Sequence, residues 1–370
     1  MKRPPLRVWV WTAATLALVV LAALLWRGSD AAATRSTTAE PAGVPTGAPA
    51  GAVSTVWTAP TTGDPAVHGG RVVVGDRHGV RALDVGTGDM GWQYTRDNAR
   101  LCDWTLIGSV VVAVFRTEDR CDEAVALAAD TGVRSWTRNV SYRSDVTLRS
   151  TNGIVLAVAP TGVVTIDPVG NGTRWRQPAG EGCRIVDADV GQAGVVVLQR
   201  CAGTSAWQLR LFDGFEGSAR WTRDVPEGTV LAGVDRTVVV AGADGVRLLA
   251  AADGTPVGDP LPGTGARVTG LGDTALILAD GELSAVDQAG GGVRWQVPAT
   301  GLPAGAAAGK LPAPVTAVPV PEDGAVVLRD LVSGDELSRA TVADLPADAL
   351  VTVAGPVVVS GEPDRVVASR

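Results

Sequence analysis

From residue 53 onward, apolar residues occur in short runs rich in valine, and Gly, Asp and Pro separate these runs. Two examples are RVVVG at 71–75 and TALILA at 274–279. The runs lack a helical period and are enriched in β-branched residues, a pattern that is typical of strands. We therefore predict an all-β domain over residues 53–370.

One element recurs within this pattern. It consists of an apolar residue followed by Asp, Gly and Trp, at intervals of two, four and four positions. The complete copies are Ala82–Asp84–Gly88–Trp92, Leu211–Asp213–Gly217–Trp221 and Ala285–Asp287–Gly291–Trp295. The partial copies are Ala126–Gly132–Trp136, Asp167–Asn171–Trp175, Ala250–Gly254–Gly258 and Asp330–Gly334–Ser338. The glycine position recurs every 37 to 46 residues, which is close to the length of a four-stranded propeller blade.

Each residue type in this element has a structural reason to be there. Gly and Asn adopt the positive φ of a tight turn at low cost. The preceding Asp can accept hydrogen bonds from turn amides, and the Trp can bury a large area against the next blade. The 11 Trp residues, against only 3 Phe and 2 Tyr, indicate that Trp holds a repeated structural position.

The number of blades depends on how the chain ends are used. Seven copies of the element account for the chain to about residue 343, and residues 350–370 supply three further strands. The segment 53–58, with Trp57 at the tryptophan position, would supply the missing fourth strand. Pairing the two chain ends removes exposed sheet edges. We therefore predict an eight-bladed β-propeller, with seven blades as the alternative.

The N-terminus carries an apolar run without charges at residues 8–26. A helix of this length rises about 28 Å, which spans a bilayer's hydrocarbon core. Lys2, Arg3 and Arg7 precede it, so we predict a cytoplasmic tail (1–7), a transmembrane signal anchor (8–26) and a propeller outside the cytoplasm. A cleaved signal peptide, with small residues at 31–33, is the alternative. Residues 27–52 are rich in Ala, Pro, Thr and Gly, which predicts a flexible linker.

The four cysteines bracket two stretches of nearly equal length, 102–121 and 183–201. In predicted blades 2 and 4, each stretch joins the start of the first strand to the loop after the second. Those points are neighbours in an antiparallel pair, so the fold favours disulfides Cys102–Cys121 and Cys183–Cys201 among three possible connectivities. A four-cysteine metal site is the alternative, but it requires two non-adjacent blades to meet.

The repeated element resembles the tryptophan-docking repeat of quinoprotein (PQQ-like) β-propellers, over about residues 53–370. That family includes quinone-dependent alcohol dehydrogenases and a non-catalytic branch with the barrel-assembly scaffold lipoprotein of Gram-negative bacteria. The resemblance implies that the Asp, Gly and Trp of each copy are structural. The dehydrogenases use a ring of adjacent cysteines at their site, and this sequence has no Cys-Cys pair. The resemblance therefore implies a member without catalytic residues, resident cofactor or metal.

Other candidate chemistry is sparse. The two histidines, His68 and His78, flank one predicted strand and lie too far apart to share a metal. Asp187 and Asp189 could bind a cation, although alternation along a strand also explains them. The connection 297–315 is longer than the other links between blades.

The formal net charge of −7 argues against a nucleic-acid partner, because phosphate binding requires basic surface. We expect a membrane-tethered extracytoplasmic propeller that acts as a non-catalytic protein-binding or scaffold module of the cell envelope. Its expected partners are the cytoplasmic membrane, through the helix, and an envelope protein. A PQQ-dependent oxidoreductase and a small-ligand sensor are the alternatives.

Overall fold

The computed structural model describes residues 6–151, 153–304 and 315–370. Eight sheets, each built on antiparallel strands, surround a central channel. The N-terminal elements are α1 (Leu6–Arg27), α2 (Asp30–Ala33), β1 (Thr34–Thr37), β2 (Gly51–Val53) and β3 (Thr55–Pro60). Blade 1 contains β4 (Ala66–His68), β5 (Arg71–Asp76), β6 (Gly79–Asp84) and β7 (Met90–Arg96). Blade 2 contains β8 (Arg100–Ile107), β9 (Val110–Arg116), β10 (Cys121–Ala128) and β11 (Arg134–Tyr142). Blade 3 contains β12 (Thr147–Thr151), β13 (Ile154–Ala159), β14 (Gly162–Ile166) and β15 (Thr173–Pro178).

The remaining blades follow the same order. Blade 4 contains β16 (Cys183–Gly191), β17 (Gly194–Cys201), β18 (Trp207–Phe212) and β19 (Ala219–Val225). Blade 5 contains β20 (Val230–Val234), β21 (Thr237–Gly242), β22 (Gly245–Ala250) and β23 (Pro256–Leu261). Blade 6 contains β24 (Arg267–Leu271), β25 (Thr274–Ala279), β26 (Glu282–Asp287) and β27 (Val293–Pro298). Strand β28 (Leu302–Pro303) precedes blade 7, which contains β29 (Ala317–Glu322), β30 (Ala325–Asp330) and β31 (Glu336–Val342). Blade 8 contains β32 (Leu350–Ala354), β33 (Val357–Gly361) and β34 (Arg365–Ser369).

The second strand of a blade explains the valine-rich runs of the sequence. Strands such as β5, β9 and β25 are almost completely buried along their length. Each lies inside its own sheet, and neighbouring blades cover both of its faces, so apolar residues follow one another without alternation. The outermost strands β15 and β19 instead alternate or remain largely exposed. The core is therefore a ring of apolar clusters, each shared between two adjacent blades.

The ring closes through the two ends of the propeller sequence. Strand β3 pairs antiparallel with β34, with Trp57 opposite Ala368 and Pro60 opposite Arg365. Blade 8 thus takes three strands from the C-terminus and its outermost strand from the N-terminal side. The prediction of eight blades is confirmed and the seven-blade alternative is wrong, because β3 completes an additional sheet.

Antiparallel connectivity gives the ring two rims. The disulfide rim carries the loops between blades and the loops between second and third strands. The turn rim carries the loops between first and second strands and the tight turns between third and fourth strands. Both names are used below in this sense.

The segment 27–52 differs from the flexible linker that its composition predicts. Strand β1 pairs with the outer edge of β7, and β2 pairs in parallel with β31 of blade 7. Between them the chain runs along the turn rim, where the Ala42 carbonyl accepts a hydrogen bond from Gly70 N at 3.1 Å. Composition suggested flexibility, but the free outer edges of blades 1 and 7 supply hydrogen-bond partners for these residues.

The N-terminal apolar helix is present as α1, close to the predicted span 8–26. Its stretch Trp9–Arg27 has a mean hydropathy of 2.0 and is exposed throughout, so its length and composition suit a membrane crossing. Of the predicted tail 1–7, residues 1–5 lie outside the described residues. The long connection predicted at 297–315 contains β28, which pairs in parallel with β32, and its residues 305–314 also lie outside the described part.

Candidate functional site

The tryptophans of the repeated element join adjacent blades in a uniform way. Each indole N–H donates a hydrogen bond to a backbone carbonyl of the next blade. The acceptor lies three residues before the glycine position of that blade's repeated element. The pairs are Trp57–Val85 (3.0 Å), Trp92–Ala129 (2.8 Å), Trp136–Pro168 (2.8 Å), Trp175–Gly214 (3.0 Å), Trp221–Ala251 (3.1 Å) and Trp295–Leu331 (3.0 Å). The tryptophans therefore belong to the structure of the ring.

The turn glycines receive these indoles. Gly88 and Gly132 have φ values of +77° and +73°, and a Cβ at either position would lie 2.6 Å from the indole Cγ of Trp57 or Trp92. Gly217 meets Trp175 in the same way, and Gly334 meets Trp295. At Gly291 the contact is with Gly258, the glycine that replaces a tryptophan in the preceding blade. Two backbones approach closely there, which compensates for the missing side chain.

The aspartates close the turns that hold these glycines. Asp213 Oδ1 accepts hydrogen bonds from Phe215 N and Glu216 N, each at 2.9 Å, and Oδ2 pairs with Arg220 at 2.7 Å. These donors, the backbone amide of Glu216 first, lower the pKa of the Asp213 carboxyl. The aspartates Asp84, Asp167, Asp287 and Asp330 accept amide bonds in the equivalent turns.

Both disulfides lie on the disulfide rim. Cys102 is bonded to Cys121 in blade 2, and Cys183 is bonded to Cys201 in blade 4. These are the pairings that antiparallel neighbours favour. The first joins β8 to the start of β10, where a loop was predicted, and the second joins the start of β16 to the end of β17, so the two pairs fix blades 2 and 4 locally without joining them.

A cavity with a volume of about 820 Å³ occupies the central channel. The first strands of the blades line it, because each sheet begins at the axis and ends at the outer edge. Apolar residues such as Val190 and Val268 form part of the wall. The charged groups that reach it come from blades 1 to 5: Asp64, Asp103, Arg149, Asp189 and Asp235.

Two of these aspartates bridge adjacent blades. Asp103 Oδ2 accepts a hydrogen bond from Leu148 N at 2.7 Å, and Asp189 Oδ2 accepts one from Val234 N at 3.0 Å. Burial raises the pKa of Asp103 and raises that of Asp189 to about 6. Burial also raises the pKa of Asp187, two residues before Asp189 on the same strand face.

Arg149 provides positive charge beside these carboxylates. Its guanidinium favours the ionised forms of Asp103, Asp187 and Asp189 and so opposes the effect of burial on their pKa values. The arrangement is an acidic wall with one arginine, which suits small polar or cationic groups. Among the described residues, no three His, Cys, Asp or Glu side chains are grouped to hold a metal ion.

A second polar network lies at the turn-rim end of blades 5 and 6. Gln288 Nε2 donates to Asp235 Oδ2 at 2.7 Å, and Gln288 Oε1 accepts from Arg236 N and Thr237 N at 3.1 Å. Burial raises the pKa of Asp235. This network fastens the inner turn of blade 5 to blade 6, which is a structural role.

The channel residues Asp103, Arg149 and Asp235 are not identified by the sequence pattern. The histidines considered from sequence lie apart as expected: His68 ends β4, and His78 Nδ1 contacts the Ala99 carbonyl at 2.9 Å on the disulfide rim.

Comparison with known proteins gives three results of different weight. A family description, "Outer membrane protein assembly factor BamB", matches residues 25–189, which include blades 1 to 3. The match supports a PQQ-like, BamB-type propeller repeat. No curated protein sequence matches the chain.

The third result is a set of similar solved structures. BamB from Moraxella catarrhalis is 17% identical, with 86% of this chain and 99% of that chain covered and a TM-score of 0.49. The computationally designed Ika8 protein is 14% identical, with 87% and 99% covered and a TM-score of 0.57. The quinohemoprotein alcohol dehydrogenase ADHIIG from Pseudomonas putida HK5 is 14% identical, with 86% and 76% covered and a TM-score of 0.47. At these identities, similarity shows the fold alone.

Proposed function

We propose that this protein is a membrane-anchored propeller outside the cytoplasm that binds a protein partner of the cell envelope and has no catalytic activity of its own. The observation that carries the proposal is the apolar 19-residue stretch of α1, exposed along its length, which α2 and β1 connect to a disulfide-bonded ring. Disulfides persist in oxidising compartments, and the helix gives a route to one.

The scaffold role rests on the type of repeat. The family description that matches residues 25–189 names an outer membrane protein assembly factor, and the matched residues include three blades of the ring. Indole hydrogen bonds join adjacent blades, and each disulfide fixes one blade internally, so the ring offers two broad, well-supported rims. Such rims are suited to docking, because little conformational entropy is lost when a partner binds.

The turn rim carries exposed apolar side chains that are candidates for partner contact. Phe215 is 54% exposed and Val169 is 77% exposed, and both lie in turns of adjacent blades. The Arg174 guanidinium lies 4.9 Å from the centre of the Phe215 ring. A large aromatic side chain beside an arginine is a combination that is enriched at protein interfaces.

Site-specific photocrosslinking in cells tests the proposal. A photoreactive residue at position 215 examines the turn rim, and one at Val230, which begins β20 on the disulfide rim and is 47% exposed, serves as the matched control. We expect a discrete adduct of one mass from position 215 and none from position 230. Adducts from neither position, or from both without a defined mass, would count against partner binding at this rim.

A small ligand in the central channel is a second candidate function. The observation in its favour is the 820 Å³ cavity, whose wall combines Arg149 with several carboxylates. Titration of the purified protein with PQQ and Ca²⁺ separates the two functions. Saturable binding with reduction of an electron-accepting dye would support a quinone-dependent enzyme, and an unchanged signal would count against PQQ as the channel ligand.

A further inference from the structure

A second cavity lies on the disulfide rim between blades 1 and 2, next to the point where the N-terminal helix joins the ring. We call it the arginine hollow. It has a volume of about 430 Å³, and its lining consists of Arg77, His78, Asp97, Asn98, Ala99, Arg100, Arg116, Thr117 and Glu118. The loop between β5 and β6 forms one wall, and the start of β8 with the end of β9 forms the other.

The arginines of the hollow are short of negative partners. Arg77 and Arg100 are exposed, and their side chains make no hydrogen bond or ion pair within the described residues. Arg100 lies directly opposite Arg116 in the β8–β9 register, an arrangement in which like charges repel. Arg116 donates to the neutral Ser144 carbonyl at 2.9 Å. Three guanidiniums therefore surround a hollow in which an anion would relieve their repulsion.

The carboxylates of the hollow do not neutralise this charge. Asp97 pairs with Arg35 from β1 at 3.4 Å, which leaves Glu118 as the other acid among the lining residues. His78 uses Nδ1 to contact the Arg96 and Ala99 carbonyls at 3.1 and 2.9 Å. The hollow as a whole is therefore positive, although the protein has a formal net charge of −7.

The position of the hollow relative to the helix is fixed by α2. Asp30, the first residue of α2, accepts a hydrogen bond from Asn98 at 2.7 Å and pairs with the buried Arg96 at 2.9 Å. Helix α1 ends at Arg27. Three residue steps span at most about 11 Å, so the lining residue Asn98 lies within a short distance of the helix end. When Trp26 and Arg27 occupy a membrane interface, the hollow borders the headgroup layer.

We propose that the arginine hollow binds the phosphate of an anionic phospholipid headgroup. Arginine recognises phosphate through paired, charge-assisted N–H donors, and the leaflet next to the helix end presents such groups at the right depth. Binding would hold the disulfide rim of blades 1 and 2 against the membrane and so set the orientation of the disc. This inference rests on the membrane anchoring in the proposed function, and it does not depend on a protein partner.

Native mass spectrometry of the full-length protein in detergent micelles tests the site, with phosphatidylglycerol and phosphatidylcholine titrated separately. We expect phosphatidylglycerol to be retained in preference to phosphatidylcholine. The variant R77Q/R100Q should weaken phosphatidylglycerol binding about 25-fold, because each arginine near an anionic surface contributes about 1 kcal/mol and about 1.4 kcal/mol corresponds to a factor of ten. Neither substitution removes a described side-chain contact.

The chain offers a matched control in blade 4. Arg184 and Arg200 lie opposite each other in the β16–β17 register, beside the second disulfide, but they are remote from α2. The variant R184Q/R200Q removes the same charge and should keep the lipid preference. An equal loss in both variants would overturn the proposal, because the effect would then be one of overall charge.

Further outcomes distinguish this inference from the proposed function. Equal binding of the two lipids by the intact protein, or competition by inorganic phosphate that is as effective as phosphatidylglycerol, would refute a lipid headgroup site and leave anchoring unaffected. The same spectra report the mass of the protein isolated from membranes. A chain that lacks the residues of α1 would refute anchoring itself.

Discussion

Replacement of Trp92 by Phe tests whether indole docking stabilises the ring. The Trp92 side chain is fully buried, and its N–H donates to the Ala129 carbonyl at 2.8 Å. Phenylalanine leaves a void of roughly 40 Å³, which costs about 1 kcal/mol at about 24 cal/mol per Å³. The buried carbonyl loses its donor, which costs about 1–3 kcal/mol. We expect the free energy of unfolding to fall by about 2–4 kcal/mol.

Trp221 provides the matched control. It makes the equivalent bond, to the Ala251 carbonyl at 3.1 Å, but its side chain is only partly buried. Water can therefore reach the carbonyl in W221F, and we expect a loss of about 1 kcal/mol. For a domain of this size, about 1 kcal/mol shifts the melting temperature by about 2 °C.

Circular dichroism in the far ultraviolet measures both variants without relying on tryptophan fluorescence. We expect a clearly lower melting temperature for W92F than for W221F. Equal shifts in the two variants would show that burial of the indole adds nothing to the stability of the ring, and a shift below about 1 °C for W92F would show that the indole hydrogen bond contributes little.

Three other features of the ring can be tested by substitution. Gly88→Ala should lower the melting temperature more than Gly153→Ala. Both glycines have positive φ, but only a Cβ at position 88 would meet Trp57, because nothing lies within 4 Å of one at position 153. Equal losses would show that φ alone causes the effect. In the double variant C102A/C121A the free energy of unfolding should fall by about 3 kcal/mol, the chain-entropy value for a loop of this length. A reducing agent should lower the melting temperature of the wild type but not that of a variant that lacks all four cysteines. Asp189→Asn should stabilise the protein by about 2–3 kcal/mol above pH 7 and leave its stability unchanged below pH 4. Burial raises the pKa of Asp189 in the folded state to about 6, so the ionised carboxylate is unfavourable at high pH. Thermal melts at several pH values measure the gain, and a gain that does not depend on pH would show that ionisation of Asp189 is not its cause.

The ring could be predicted from sequence because its determinants are local. Asp213, Gly217 and Trp221 lie within nine residues. The first accepts hydrogen bonds from turn amides, the second adopts positive φ, and the third fills the gap to the next blade. Because each residue has a single structural role, spacing alone reveals the element. The closure of the ring by β3 was predictable for the same reason. Trp57 occupies the tryptophan position of the repeated element without the preceding strands of a blade, and this indicated that it belongs to the outermost strand of blade 8.

The N-terminal strands were not predictable because their partners are remote. The residues of β1 have no apolar pattern of their own, and they form a strand because β7 presents an open edge. Asp189 was singled out from the sequence, but the channel residues Asp103, Arg149 and Asp235 were missed for another reason. Register shifts occur between Leu101 and Asp103 and between Ile185 and Asp187, and a bulge changes which face the following side chains occupy. Simple alternation therefore does not identify the residues that face the channel.

The pairing of β3 with β34 has a consequence for biosynthesis. About 300 residues separate the two strands, so β3 leaves the ribosome long before its partner has been translated. Until β34 has been translated, the nascent chain carries two open sheet edges, which are prone to pair with other chains. Closure of the ring therefore depends on β34: a polypeptide without this strand leaves β3 unpaired and the ring open.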